Sequence, residues 1–547
     1  MMILRLRSTG RIFATAASVL LAATCAPAQS IVTVTVDPGK TLNILTNQLV
    51  GVWANMGDGD LTDPKGLATM KAGGIAAVTY PTGWEDVADL YHWSTNKLTP
   101  NAGSADAIRK PYLQDKNDFA SVALALSKYG MAPVVHVNYG SNLAGSGGGE
   151  PKEAAAWVAY ANGNAADSKE IGKDTVGNDW KTVGFWATVR GQAPLAQDDG
   201  YNFLRVQHSE PFHVTMWQIG EDVSQNGYYG GDHTGAFDLH APYPASKKDS
   251  GKRRKLPQLA PRTYGEQLAA FSAAMKAVDP GILIGGTLSL PVASLDDPSA
   301  GYAPDWNPVV LKTACKDMDF VSYVWHPGNS SNDEQWKTMD DGILLGSIRQ
   351  GLPAILKESI HEDQVNCPGG KVLHVSFSQF SQLSWPRIEH PNVLALFVAD
   401  AYATMAEDGI SNADWFQLRD GGMFDGGKPT ASYYGSQMAH IVAYRPGDAY
   451  VAATNPPDLS VHATRRQDGL LGVMILNRDR REAKTVKVNF AGTNDLAAAG
   501  VRFDYSPAQQ TAGIGPVKSS VAVEGSSVTV NVPAYGIVDV LIPRRKP

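Results

Sequence analysis

Positive charge, paired histidines and long apolar runs are all scarce in this sequence, and each shortage closes off a class of function. Lysine and arginine number 47 against 54 acidic residues, a net charge of −7, so nothing favours nucleic acid or an anionic membrane as partner. The one basic run, KKDSGKRRK at 247–255, sits among Ser, Gly and Pro and reads as a solvated loop. The 12 histidines are scattered, with no pair at the spacing of a helical zinc motif, and neither a metal nor another cofactor is implied. GSGGG at 145–149 lacks the Lys-Ser/Thr of a phosphate loop, and no serine nucleophile elbow is present. DGDLTD at 58–63 holds closely spaced acids without the rest of a calcium loop, and reads as a solvated turn. Beyond the N-terminus no stretch is long and apolar enough to span a membrane, and no repeat period occurs. What is present, 43% hydrophobic and 18% charged residues, is the composition of a soluble globular protein with ample core.

The N-terminus has the pattern of a targeting segment. Arg5, Arg7 and Arg11 flank an apolar stretch, 12–23, and Ala26-Pro27-Ala28 fits the small-x-small cleavage rule. The expectation is a signal peptide over 1–28, a mature chain starting near Gln29, and a secreted or periplasmic location. Cys25 follows Ala22-Ala23-Thr24, a poor lead-in for lipid attachment. Cys315 and Cys367 each lie shortly before a predicted strand, so both are expected at the N-terminal ends of neighbouring strands. A disulfide and two buried thiols both fit that placement.

From 48 to 421 short apolar runs alternate with helical patterns. LVGVWANM, GIAAVTYP, APVVHVNYG, HVTMWQIG, GILIGGTLSL, DFVSYVWHP, KVLHVSFSQF and NADWFQLRDG are continuous in polarity, which suits parallel strands covered on both faces. Between them, a helix is predicted over 118–129 behind a capping Asn117, and another behind a Thr263/Glu266 capping box. A third is predicted over 393–407. Eight such units predict an α/β fold, a (β/α)8 TIM barrel. After Pro429 the texture changes to short strands (YVAAT, LGVMILN, TVKVNF, SVTVNV, IVDVLIP) with no helical pattern between them, which predicts a β-sandwich. The alternating IVTVTVDP at 31–38 is expected to join it. The expected domains are an N-terminal strand at 29–45, a barrel at 46–428 and a sandwich at 429–547.

In such a barrel chemistry gathers where the βα loops converge, at the C-terminal ends of the strands. Those ends carry Tyr80 and Trp84, Asn138, Glu221 and Asp222, Trp325 and His326, Gln379, and Asp420, with Trp217 inside the fourth strand. A cleft rich in aromatic and polar groups suits an oligo- or polysaccharide, whose C–H faces lie on rings while its hydroxyls find hydrogen bonds.

YPTGWEDVADLYHW (80–93), VNYGS (137–141) with EAAAWVAYAN (153–162), WQIGED (217–222) and KPTASYYGSQM (428–438) together resemble the α-L-arabinofuranosidase-type, family 51-like glycoside hydrolases of clan A. The resemblance covers nearly the whole mature chain in order. It implies a retaining mechanism with a glutamate acid/base after strand four and a glutamate nucleophile after strand seven. Here Asp222 takes the acid/base position, Glu221 the usual asparagine place and Gln379 the nucleophile position, while Thr79 replaces an arginine. An amide carries no negative charge to attack or stabilise an anomeric centre, so the two-carboxylate pathway cannot run unchanged.

Three readings follow. One is an exported glycoside hydrolase with a nonstandard site. In it Asp222 is the acid, Asp420, Glu85 or Asp86 supplies the base, or Gln379 orients a group of the substrate itself. The second is a catalytically inactive glycan-binding protein on a hydrolase scaffold. The third is a surface-assembly platform using the loops at 145–149 and 247–255. No oligomeric state is implied.

Overall fold

The computed structural model describes residues 30–545 apart from 58, 60, 84–86, 100–115, 226–237, 241–259, 293–304, 328–337, 340, 382–386 and 389. The expected signal segment, Trp84, Glu85, Asp86 and the basic run at 247–255 therefore lie outside the described residues.

Eight parallel strands close into a barrel: Val50–Asn55, Ala77–Thr82, Ala132–Val137, Met216–Ile219, Leu283–Thr287, Phe320–Trp325, His374–Phe380 and Asn412–Phe416. Each pairs with its neighbours in chain order, and the eighth closes on the first, with Asp414 opposite Gly51. These are the eight apolar runs of the sequence. They form parallel strands because the crossover helices cover their outer face while side chains fill the inside, so both faces are buried. Ala77, Val134, Met216 and Phe320 form a separate apolar plug inside the lower barrel.

Nine further strands make the second, largely antiparallel unit, ordered Ile31–Ile44, Ala449–Ala453, Leu459–Arg465, Leu470–Asn477, Ile537–Pro543, Ala499–Tyr505, Val517–Glu524, Ser527–Val532 and Lys484–Phe490. The N-terminal strand joins it as expected, antiparallel to Ala449–Ala453 and parallel to Lys484–Phe490. Its alternation explains why: Val34 and Val36 enter the sandwich core while Thr33 and Thr35 face out.

Three local expectations need correction. A helix, Ala431–Val442, follows Pro429, where no helical pattern was read; Ala431, Tyr433, Met438 and Val442 enter the barrel core. The cap of helix Phe119–Lys128 is Asp118, which accepts from Ser121 N, because the Asn117 carboxamide is spent on Leu61 N and Met56 O. Helix Ala260–Val278 already includes Thr263, so no capping box starts there; Pro261 is tolerated in a first turn because its missing N–H has no partner to lose.

Cys315 and Cys367 form a disulfide, with Cα atoms 5.5 Å apart across 52 residues of sequence. Intact-mass analysis of unreduced, unfolded protein with alkylating reagent is expected to show neither cysteine labelled. Labelling of both without prior reduction would refute the bond.

Candidate functional site

Strand four delivers the two carboxylates through a sharp turn. Gly220 (φ +77°) and Asp222 (φ +49°) both take left-handed backbone, so Glu221 and Asp222 diverge. Glu221, 2% exposed, turns into the barrel, where Trp53 Nε1 donates to its Oε1 at 2.9 Å. Asp222 stays half-buried at the mouth and reaches across to strand seven. There a register shift between Phe377 and Gln379 re-aims the strand end. Gln379 Nε2 approaches Asp222 Oδ2 at 3.5 Å, the outer limit of a hydrogen bond. Burial pushes the Asp222 carboxyl up to about 6. A ¹³C-carboxyl titration is expected to show a midpoint near 6 that disappears in Asp222→Asn; a midpoint near the ordinary aspartate value of about 4 would contradict this.

A third carboxylate holds this turn in place. Asp89 is fully buried on the loop after strand two, and its Oδ1 accepts from Tyr139 N (3.0 Å) and Gly140 N (3.2 Å) while Oδ2 accepts from Glu221 N (3.1 Å). One side chain thus ties the ends of strands two, three and four together. It lies within the YPTGWEDVADLYHW segment, where nothing in the sequence alone marks it apart from its acidic neighbours.

Beneath the mouth the lumen is polar. His136 is fully buried, with Nδ1 3.9 Å from Glu221 Oε1, too far for a hydrogen bond. Burial lowers its pKa to about 3, so the imidazole is neutral. Its two ring nitrogens, Thr287 Oγ1 and Ser322 Oγ find no hydrogen-bond partner among the described residues. Thr79, at the expected arginine position, donates to Asp414 Oδ2 at 2.5 Å. Asp414 is raised to about 7 by burial and fits only because strand one presents Gly51, where a Cβ would lie 1.8 Å from Asp414 Oδ1.

The GSGGG loop packs on the same rim. A Cβ on Gly148 would lie 2.3 Å from the His240 ring, and one on Gly149 would lie 2.2 Å from Asn138 O. His240 in turn stacks on Tyr139 at 4.3 Å. The glycines are there to let that loop lie flat on the rim.

Of the residues expected at the site, Glu221, Asp222, Gln379 and His326 gather at the strand ends. His326 is 8% exposed, its Nδ1 is 3.1 Å from Ser381 O, and its ring meets Phe416 edge-on. Three expected aromatics instead face outward into the helix layer. Tyr80 donates to Asn117 O and packs on Phe119. Trp217 donates to Val214 O and meets Trp157. Trp325 lies against Phe377, towards Gly351 of helix Asp341–Asn366. Asn138 spends its amide on Tyr91 O and Ser141 Oγ, shaping the loop. Asp420 occupies an exposed turn (φ +55°) after strand eight. His92 is buried between Glu153 and Thr99, a structural role.

The barrel followed by the sandwich is a clan A fold of the glycoside hydrolase type. Within it, the chain has a family 51-like fold. The α-L-arabinofuranosidase of Thermotoga maritima, determined as an arabinose complex, superposes with a TM-score of 0.62 at 16% identity, over 93% of this chain and 99% of that one. The family 51 arabinofuranosidase of Xanthomonas axonopodis pv. citri gives 0.60 at 15%, over 94% and 99%. The Paenibacillus polymyxa xyloglucanase of family 44 gives 0.60 at 13%, over 94% and 100%. No family model and no curated protein sequence matches the chain.

Proposed function

We propose that this protein is an exported carbohydrate-recognition protein that keeps the scaffold of an arabinofuranosidase-type hydrolase and a polar strand-end mouth without its retaining chemistry. One observation carries the reading: the group facing Asp222 is the Gln379 carboxamide, 3.5 Å away. A retaining site needs two carboxyl groups about 5–5.5 Å apart, one of them an anion able to attack. Here a neutral donor fills that place and turns its N–H towards the acid. The polar groups gathered at the strand ends, Asp222, Gln379 and His326, support binding of a hydroxyl-rich ligand.

Calorimetry of the mature protein against arabinose- and xylose-containing oligosaccharides tests this. Saturable heats that weaken at least about tenfold in Gln379→Ala are expected. A flat response across the panel would reject it.

A second reading rests on Asp222 itself. A carboxyl at about 6 is suited to protonate a leaving group, so single-acid inverting hydrolysis has its acid in place. Its base would come from Asp420 or from Glu85 or Asp86. Reducing-end release that vanishes in Asp222→Asn, with inversion at the anomeric carbon, would establish it.

Export is supported by the N-terminal pattern and agrees with the Cys315–Cys367 disulfide, since such bonds persist in oxidising compartments. Sequencing of the mature N-terminus is expected to begin near Gln29; an intact N-terminus in the cytoplasmic fraction would count against it.

A further inference from the structure

The end of the barrel opposite the mouth holds a cavity of about 600 Å³, bounded by the loops entering strands one to four and by the C-terminal end of helix Ala431–Val442. Its polar lining includes Lys71, His213, His440, Arg445 and Gln48, and among the described residues no aspartate or glutamate lines it. Two cations, Lys71 and Arg445, thus line this cavity.

These cations are not spent on ion pairs. Arg445 is exposed, lies over the Tyr444 ring at 5.7 Å and has no carboxylate at ion-pair distance among the described residues. Its neighbour Arg466, by contrast, is paired with Asp468. Lys71 Nζ is anchored on Tyr129 O at 2.5 Å, which leaves two of its three donors. Two carboxylates lie nearby, and both are engaged: Asp448 Oδ2 accepts from Tyr444 N and Arg445 N and its Oδ1 from Gln467 N, while Asp468 is paired with Arg466 and only feels the Arg445 charge. His440 is held near 4 by burial and the Arg466 charge, so it is a neutral polar wall. Gln48 engages Oε1 with Thr215 Oγ1 and keeps its NH₂ as a donor.

We infer that this cavity is a second ligand site, for an oxyanion-bearing small molecule of saccharide size, a sugar acid. Arg445 and Lys71 take the carboxylate, and Gln48, Thr215 and Tyr129 line the hydroxyl-bearing part. A guanidinium presents a fork that fits a carboxylate, and an unpaired one facing a cavity gains most from meeting it. The volume lies within the range of small-molecule sites and far exceeds a bare inorganic anion. The saccharide part rests on the glycan-recognition reading; the anion part does not.

The test is calorimetry with glucuronate, galacturonate, glucose and inorganic phosphate, done in a Gln379→Ala background, in which binding at the mouth is expected to be weakened. Both sugar acids are expected to bind, glucose not, with affinity falling about tenfold in Arg445→Ala and again in Lys71→Ala. Both side chains are exposed, so the variants keep the fold, as circular dichroism would verify. Glucose binding as tightly as the acids, unchanged affinity in Arg445→Ala, or no heat from either acid would overturn the site. Phosphate binding as tightly as the sugar acids would overturn its saccharide character. Failure of the mouth to bind neutral glycans touches none of these results.

Discussion

His462→Ala is expected to lower the unfolding free energy by about 3–5 kcal/mol, the cost of removing one partner from a buried ion pair. His462 sits on sandwich strand Leu459–Arg465, facing the barrel helix Val393–Glu407, with Nε2 2.8 Å from Asp400 Oδ1 and Nδ1 2.9 Å from Glu407 Oε1. Ser460 Oγ also donates to Asp400 Oδ2 at 2.8 Å. Burial alone would lower the imidazole, but Glu407 and Asp400 together push it up to about 10. Burial likewise opposes the Asp400 charge, yet the His462 hydrogen bond and charge hold that carboxyl below its usual range. The imidazolium is therefore what allows an aspartate only 2% exposed to stay ionised between the two units.

The sign of the pH dependence follows. A histidine raised on folding stabilises fully below its unfolded value of about 6.5, and that stabilisation drains away as pH climbs through about 10. Wild type should lose stability between pH 7 and 10, and His462→Ala should lose less over that interval. Urea unfolding at pH 7 and pH 9.5 reads both. A variant within about 1 kcal/mol of wild type at pH 7 would show that the cluster is not an ion pair.

Asp89→Ala has the second large expected effect. It strips an acceptor from three backbone N–H groups at once, those of Tyr139, Gly140 and Glu221, in a site with no exposure. Each buried donor left unsatisfied costs about 1–3 kcal/mol, so a loss of at least about 3 kcal/mol is expected. Because Glu221 N is one of the three, the strand-four turn should loosen and glycan binding should fall with it. Asp89→Asn keeps one oxygen acceptor and should recover part of both. Equal behaviour of the two variants in urea unfolding would mean that the acceptor geometry at Asp89 does not matter.

Much of the fold was legible because barrel strands buried on both faces leave continuous apolar runs, which is how all eight could be read. The same property hid the orientation of side chains. In a run without alternation nothing separates lumen from helix layer, and so Tyr80, Trp217 and Trp325 read as cleft residues although they face the helix layer. Glu221 and Asp222 stand out because WQIGED carries them side by side at one strand end, and Gln379 because SFSQF carries it at another. Asp89, His136 and Trp53 do not, since their partners come from other strands and only barrel closure brings them together. The helix Ala431–Val442 escaped notice because its KPTASYYGSQM start carries β-favouring tyrosines and a glycine, preferences that packing on the barrel core overrides.

Everything proposed for the mouth depends on an uncharged amide standing where the resembling enzymes are expected to hold an attacking carboxylate. The direct measurement is ¹H NMR of an aryl α-L-arabinofuranoside incubated with the wild-type protein, following both aglycone release and the anomer first formed. No release above an Asp222→Asn control, or release with inversion only, agrees with Gln379 as a neutral group. Turnover giving the retained anomer would contradict it.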